Sequence, residues 1–409
     1  MMIPIAASTL TTACGAGWRD VRASFRAGAT GLRRNDFEPA GELATWIGRV
    51  DGVEEFAMPP ALSRFDCRNN RLALMGLGND DFEACVARSV QRHGAQRLGV
   101  FLGTSTSGIL ATELAMRSAE GASQLSPDFY RYRHSMFSVT ELVRTALGLR
   151  GPAITVSTAC SSSAKVFALA ARAIEAGVCD AAVVGGVDSL ALSTLYGFNA
   201  LGLLSREPCR PLDADRDGIS IGEAAGYALL DPASDAGIVL EGYGESSDGY
   251  HMSTPHPQGA GAADAMREAL ACARLAPADI GYVNLHGTAS RTNDAAEDIA
   301  VHGVFGRQVL AGSTKGWTGH ALGAAGIVET LVCEMALAEA WVREDGAWTA
   351  HGAWARGVPL PPPATERELA PGWLTSGLPQ GPRVLLGRIR SEDGSGDREV
   401  EGFVRLVGF

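Results

Sequence analysis

A chain of 409 residues exceeds the usual single-domain size, so two core-bearing halves or one large double-layered α/β unit is expected. Apolar residues make up 46% and charged residues 20%, values of a compact globular protein that exclude a disordered one. The 35 basic and 46 acidic side chains leave a formal charge of −11, which argues against a general nucleic-acid or membrane-surface binder, because phosphate-rich partners would be repelled.

In chain order, the first feature is SRFDCRNNRLALMG, where Arg64, Arg68 and Arg71 fall at i, i+4 and i+7 and so share one face of a predicted helix. Short apolar runs then alternate with amphipathic segments. RLGVFLGTS and AITVSTA read as strands, 161–176 as a helix apolar nearly all round and hence buried between layers, and DAAVVGG as a further strand. This alternation is α/β grammar. Turn-forming DPASDAG at 231–237 suggests a division near residue 235, giving an N-terminal half 1–235 and a C-terminal half 236–409 that share one core. In the second half, a strand near 309–312 leads through Gly-rich turns into a long apolar helix from about Leu322. Residues 348–373, rich in Pro and Trp, read as an irregular crossing loop, and RVLLGRIR and REVEGFVRLVGF as two closing strands joined by SEDGSGD.

The 50 glycines concentrate in strand-to-helix turns, where tight turns and close backbone approaches build sites. Eight scattered cysteines show no CxxC pair and no metal-ligand spacing, so no zinc site, no other metal and no disulfide framework is indicated, and a reducing compartment fits. The opening MMIPIAASTLTTACGAG has no basic stretch before its apolar residues, and no uncharged run reaches the ~18 residues of a membrane span. A cytoplasmic location is expected.

Chemistry concentrates in three turns. TVSTACSSSAK places Cys160 directly before a helix, where unpaired N–H groups and the helix dipole favour a thiolate and small neighbours admit a substrate carbonyl; a buried core cysteine is the equal alternative on this pattern alone. His286 in VNLHGTASRTNDAAE and His320 in STKGWTGHALGAAG follow short apolar strands into Gly-rich turns, a frequent setting for active-site histidines. The remaining six histidines lack that setting.

Four segments, TACSSSAK, PLDADRDGISIGEAAG, HGTASRTNDAAE and KGWTGHALGAAGIVE, resemble in sequence and order the signature blocks of the β-ketoacyl-[acyl-carrier-protein] synthases, the Cys-His-His branch of the thiolase-like enzymes. The resemblance implies an α/β, five-layered αβαβα fold of two pseudo-duplicated halves. It implies that Cys160 carries the acyl chain as a thioester, while His286 and His320 support loss of CO₂ from a malonyl extender and stabilise the enolate oxygen. Lys315 and Glu329 match a buried pair that orients the histidine turn, Asp294 and Glu297 an acidic pair beside the first histidine, and Thr288 and Ser290 hydroxyls lining the pantetheine channel. Arg64, Arg68 and Arg71 then dock an acidic acyl carrier protein, with a plain solvated face as the alternative. The family is dimeric, so a homodimer or a heterodimer with a related ketosynthase-like subunit is expected, with no cofactor. FLGTSTSG and CSSSAKVFALA look closer to aryl-polyene synthases than to the housekeeping fatty-acid enzymes.

One departure stands out. The family's Gly-rich NSFGFGGTN-type loop, which supplies a gating phenylalanine and an oxyanion-hole N–H, is replaced here by LLGRIRSEDGSGDREVEGFVRLVGF. A diverged loop, an altered reading frame and completion of the site by a partner subunit all fit. The departure also admits a second function, a non-catalytic partner that sets chain length for an active ketosynthase, although such partners usually lack the cysteine.

Overall fold

The computed structural model describes residues 2–118, 125–251, 254–306, 309–338, 382–389 and 401–407. In chain order the strands are β1 (Ile3–Thr12), β2 (Gly15–Ala16), β3 (Arg33–Arg34), β4 (Trp46–Gly48), β5 (Leu98–Gly103), β6 (Ala153–Val156), β7 (Ala181–Asp188), β8 (Ile221–Gly222) and β9 (Ala224–Leu230), then β10 (Ile238–Glu245), β11 (Tyr282–Asn284), β12 (Leu310–Gly312), β13 (Pro382–Ile389) and β14 (Glu401–Val407). The main sheet runs β12-β11-β14-β13-β10-β1-β9-β7-β5-β6.

The two halves meet on β1. Its first residues pair antiparallel with β10, Ile3 opposite Leu240, whereas Ile5–Thr12 pair antiparallel with β9. In the first half β5 lies parallel to both β6 and β7; in the second, β11 lies parallel to β12 and β14. Parallel pairs need crossover connections, and the helices that make them cover both faces. The expected turn at 231–237 separates β9 from β10, and the expected closing strands are β13 and β14.

Five layers follow from what the apolar faces bury. The helices Ser162–Glu175 and Ala325–Ala338 form the middle layer. Val166, Phe167, Ala170 and Ala171 of the first and Ile327, Leu331, Val332 and Met335 of the second share one cluster with residues of β1, β7 and β9. Helices apolar over most of their surface must be covered on most sides; the Ser162 helix keeps Lys165 and Arg172 toward solvent, both paired with Glu245. On the far side of the N-terminal strands, Leu72, Ala73, Phe82, Val139 and Leu142 close the outer face; beyond the C-terminal strands, Met266, Ala269, Ala300 and Val301 do the same. A small sheet, β3-β4-β8, stands apart and becomes important at the site. The predicted crossing loop 348–373 lies outside the described residues.

Candidate active site

The chain leaves β6 at Val156 and makes a hydroxyl-stapled turn before the Ser162 helix. The Thr158 N–H donates to Ser162 Oγ at 2.8 Å, and the Ser162 hydroxyl donates to Ala159 O at 2.6 Å. Ala159 adopts φ +50°, a left-handed conformation that costs a non-glycine residue roughly 1–2 kcal/mol. The chain turns sharply at that residue. The turn's product is Cys160, 4% exposed, placed at the head of the helix.

His320 comes from the other half. Its backbone joins the small sheet as an extra bridge: the His320 N–H donates to Ser220 O at 2.7 Å, and the Gly222 N–H donates to His320 O at 2.9 Å. A Cβ on Gly222 would stand 2.4 Å from Thr318 O, so glycine is required for this approach. The block PLDADRDGISIGEAAG is thereby given a role, as the seat of the second histidine. The ring is fully buried, and His320 Nε2 lies 3.0 Å from Cys160 Sγ.

His286 follows β11 and faces the same point, its ring 4.9 Å from that of His320 and nearly perpendicular to it. Lys315 Nζ lies 3.4 Å from His286 Nδ1 and is ion-paired with Glu329, both side chains buried. The sequence block around His286 is fastened from several sides. The His286 N–H donates to Glu297 Oε1 at 3.4 Å, Asp294 Oδ2 accepts from the Leu212 N–H at 2.8 Å, and Arg216 Nε reaches Asp294 at 3.2 Å. The Thr288 and Ser290 hydroxyls are buried 3.1 Å apart, and Asn293 Nδ2 donates to Thr288 Oγ1 at 3.0 Å.

Burial and the nearby Lys315 hold the His320 imidazole well below the usual histidine range, so the ring is neutral at neutral pH. Burial pushes the Asp294 carboxyl well above its usual range despite Arg216. Donor atoms of Cys160, His286 and His320 lie within 4.8 Å of one another. Tetrahedral zinc would hold a sulfur and a nitrogen ~3.5 Å apart, whereas the 3.0 Å between Cys160 and His320 is hydrogen-bond length. The trio suits thiol chemistry better than metal binding.

Arg64, Arg68 and Arg71 do not share an exposed helix face, which corrects the sequence expectation. Arg64 belongs to the 3₁₀ turn Pro60–Phe65, and its guanidinium lies 4.6 Å over the Tyr132 ring at the surface. Arg68 begins the helix Arg68–Leu77 but turns inward, its side chain 7% exposed, bonding Glu223 through Nε at 3.2 Å and also pairing with Glu54. Arg71 is engaged with Asp66 at 2.6 Å. The reason is the buried Glu223 carboxylate, which also accepts the Val50 and Leu190 N–H groups, each at 2.9 Å, and draws the nearest guanidinium to itself. Sequence reading missed Arg216 and Ser220 at this site, although both lay inside a block already singled out. The segment in place of the family's Gly-rich loop runs partly through 390–400, outside the described residues.

The sequence profile of the β-ketoacyl synthase N-terminal domain matches residues 86–236, and that of the β-ketoacyl synthase C-terminal domain residues 238–345. 3-Oxoacyl-[acyl-carrier-protein] synthase 2 of Vibrio cholerae is 36% identical over 273 residues, 62% of this chain and 66% of that protein. Nodulation protein E of Rhizobium meliloti is 35% identical over 262 residues, 61% of this chain. The alignments thus span 66% and 65% of these relatives' own lengths. A chain of the solved complex between the ketosynthase ApeO and its chain length factor ApeC from Xenorhabdus doucetiae superposes with TM-score 0.78 at 36% identity, covering 92% of each chain. The ishigamide ketosynthase/chain length factor superposes at 0.79 with 21% identity, covering 95% of this chain and 99% of that one, which speaks to fold alone.

Proposed function

The chain belongs to the β-ketoacyl synthase family, and on that premise we propose that it catalyses a decarboxylating Claisen condensation of an acyl thioester on Cys160 with malonyl-[acyl-carrier protein]. The observation that carries this reading is the meeting of Cys160 Sγ and His320 Nε2 at 3.0 Å with the His286 ring beside them.

In the first half-reaction the Cys160 sulfur attacks the acyl carbonyl of an acyl-carrier thioester. The carrier thiolate leaves and takes up the proton, and the acyl group stays on sulfur. Malonyl-carrier then binds, and cleavage of its C–CO₂ bond sends the electron pair into the thioester, building an enolate oxygen. Two imidazole N–H groups can stabilise that charge without reorganising. Lys315 beside His286 Nδ1 favours the tautomer whose proton is on Nε2. The enolate carbon attacks the Cys160 thioester, and collapse releases β-ketoacyl-carrier and the free thiolate.

The carrier is an acidic protein, and the surface that supports its docking is the exposed Arg64 with Arg131 and Arg133 nearby, the last donating to Arg64 O at 3.5 Å. A homodimer, or a heterodimer with a related subunit, is supported by β6, which ends the main sheet with Ile154 40% exposed; a monomer in light scattering would exclude both. No helix among the described residues is long and apolar enough to cross a membrane, in keeping with a cytoplasmic enzyme of fatty-acid or polyketide synthesis, and FLGTSTSG favours the aryl-polyene kind.

A second reading, a chain-length-determining partner of an active ketosynthase, is favoured by the similarity to complexes that contain chain length factors. Intact-mass spectrometry of the protein and of Cys160→Ala after incubation with acyl-carrier protein, then with malonyl-carrier protein and CO₂ detection, separates the two. Acylation confined to the unaltered protein and discharged with CO₂ supports the synthase. No adduct on either protein across several chain lengths would sink it in favour of the partner role.

A further inference from the structure

Asp188 ends β7, fully buried, and is used by neither half-reaction. Six donors converge on its carboxylate. Oδ1 accepts from the hydroxyl of Thr104 at 2.6 Å, the N–H of Ser105 at 2.8 Å, and the N–H and hydroxyl of Thr106 at 2.9 and 2.8 Å. Oδ2 accepts from the Ser105 N–H at 2.9 Å, the Ser105 hydroxyl at 2.5 Å and, from the other half of the chain, the Gly323 N–H at 2.6 Å. Gly323 lies three residues after His320, beyond Leu322, which is held at φ +51°.

The same strand end touches the nucleophile's helix. A Cβ on Gly186 would meet the Ser163 side chain at 2.4 Å and Ala324 Cα at 3.2 Å, so β7 is pressed against the residues just past Cys160 and just past His320 together. Ser163 Oγ also accepts the Ile327 N–H at 2.9 Å. Of these ties, the bond donated by the Gly323 N–H to the carboxylate is short and charge-assisted, the strong kind.

We propose that Asp188 is a positioning residue that fixes the turn carrying His320 against the helix carrying Cys160, and so sets the contact between sulfur and imidazole. The idea deepens the condensing-enzyme reading and rests on it for its meaning in catalysis, but its test does not need turnover. Asp188→Asn keeps shape and volume, yet its amide NH₂ must face N–H donors and lose one side of the cluster.

The experiment is the pH dependence of Cys160 alkylation by iodoacetamide, followed by mass spectrometry, in the unaltered protein, D188N, His320→Ala and Thr106→Val, the last removing one hydroxyl donor while leaving the Gly323 tie. A lost hydrogen bond to a thiolate corresponds to roughly a tenfold or greater slowing at neutral pH. D188N is expected to slow to that extent and to shift its profile toward that of H320A, with T106V at the unaltered rate. A D188N profile that coincides with the unaltered protein's overturns the proposal, and so does a T106V shift as large as that of D188N. If D188N does not accumulate folded, Asp188→Glu is read in its place: a smaller shift in the same direction supports the proposal, and no shift overturns it. In carrier assays, D188N should lower kcat for condensation with KM unchanged; failure of the unaltered protein to acylate or release CO₂ would instead count against the condensing-enzyme reading, leaving the alkylation result to decide the role of Asp188.

Discussion

Lys315 Nζ stands 3.4 Å from His286 Nδ1 while its charge is matched by the buried carboxylate of Glu329. An ammonium held there has its protons directed at one imidazole nitrogen, which keeps the other nitrogen protonated, as the proposed stabilisation of an enolate oxygen requires.

Replacing Lys315 alone would leave Glu329 as a buried unmatched carboxylate, a loss of about 3–5 kcal/mol, so the informative variant is Lys315→Met with Glu329→Gln. We expect acylation of Cys160 to stay within a few-fold of normal, while CO₂ release from malonyl-carrier falls on the order of 10²-fold, as for loss of one oxyanion donor. Undiminished CO₂ release from this double variant would show that the tautomer of His286 is set some other way.

The depressed His320 predicts a pH signature in stability. Its folded value lies below the 6.5 of a free histidine, so the unfolded chain binds the proton first as pH falls. Its contribution is therefore complete above about 6.5 and is lost progressively below it, by up to about 1.4 kcal/mol per pH unit. In thermal melts the difference in Tm between the unaltered protein and His320→Gln should move against the unaltered protein from pH 7.5 to 5.5. A difference that is the same at both ends would contradict burial of a neutral ring.

Gly222→Ala tests the seat of His320. The new methyl group would lie 2.4 Å from Thr318 O, and overpacking of this kind typically costs about 1–3 kcal/mol. Chemical denaturation should report that loss, and Cys160 alkylation and condensation should both fall, since the strain enters at the bridge that holds the His320 imidazole against the Cys160 sulfur. A loss of stability with Cys160 alkylation undiminished would mean that this bridge does not set the contact.

Arg64 and Arg68 should part company. Arg68→Ala strands Glu223 in the interior and is expected to cost about 3–5 kcal/mol in urea melts. Charge reversal at Arg64, Arg131 and Arg133 should leave Tm within a degree or two and raise KM for acyl-carrier substrate, more strongly at low salt. If KM is unmoved by the triple reversal, this face does not receive the carrier.

Much of the site was legible in the chain because its parts are locally coded. A strand, a run of small hydroxyl residues and a helix mark Cys160 as a candidate with a buried core cysteine as the equal alternative, and the Gly-rich turns around His286 and His320 mark candidates by the same grammar; it is four such blocks in order, resembling one family of condensing enzymes, that single them out together. The mainly apolar surface of the Ser162 helix likewise announces burial between layers, since a helix with so few polar positions must be covered on most sides. What the sequence could not decide is which distant segments meet. Cys160 and His320 are 160 positions apart and touch only because β1 joins two half-sheets and the middle-layer helices close on each other. Arg68 has helical spacing suited to a solvent stripe, yet it faces Glu223, which arrives from 155 residues away and, once buried, must be met by a cation. Asp188 is an ordinary acid at a strand end until the Gly323 N–H from the other half is laid against it. Periodicity along a chain reports which face is apolar, whereas the pairing of buried charges and donors depends on packing between elements, and that only the tertiary structure determines.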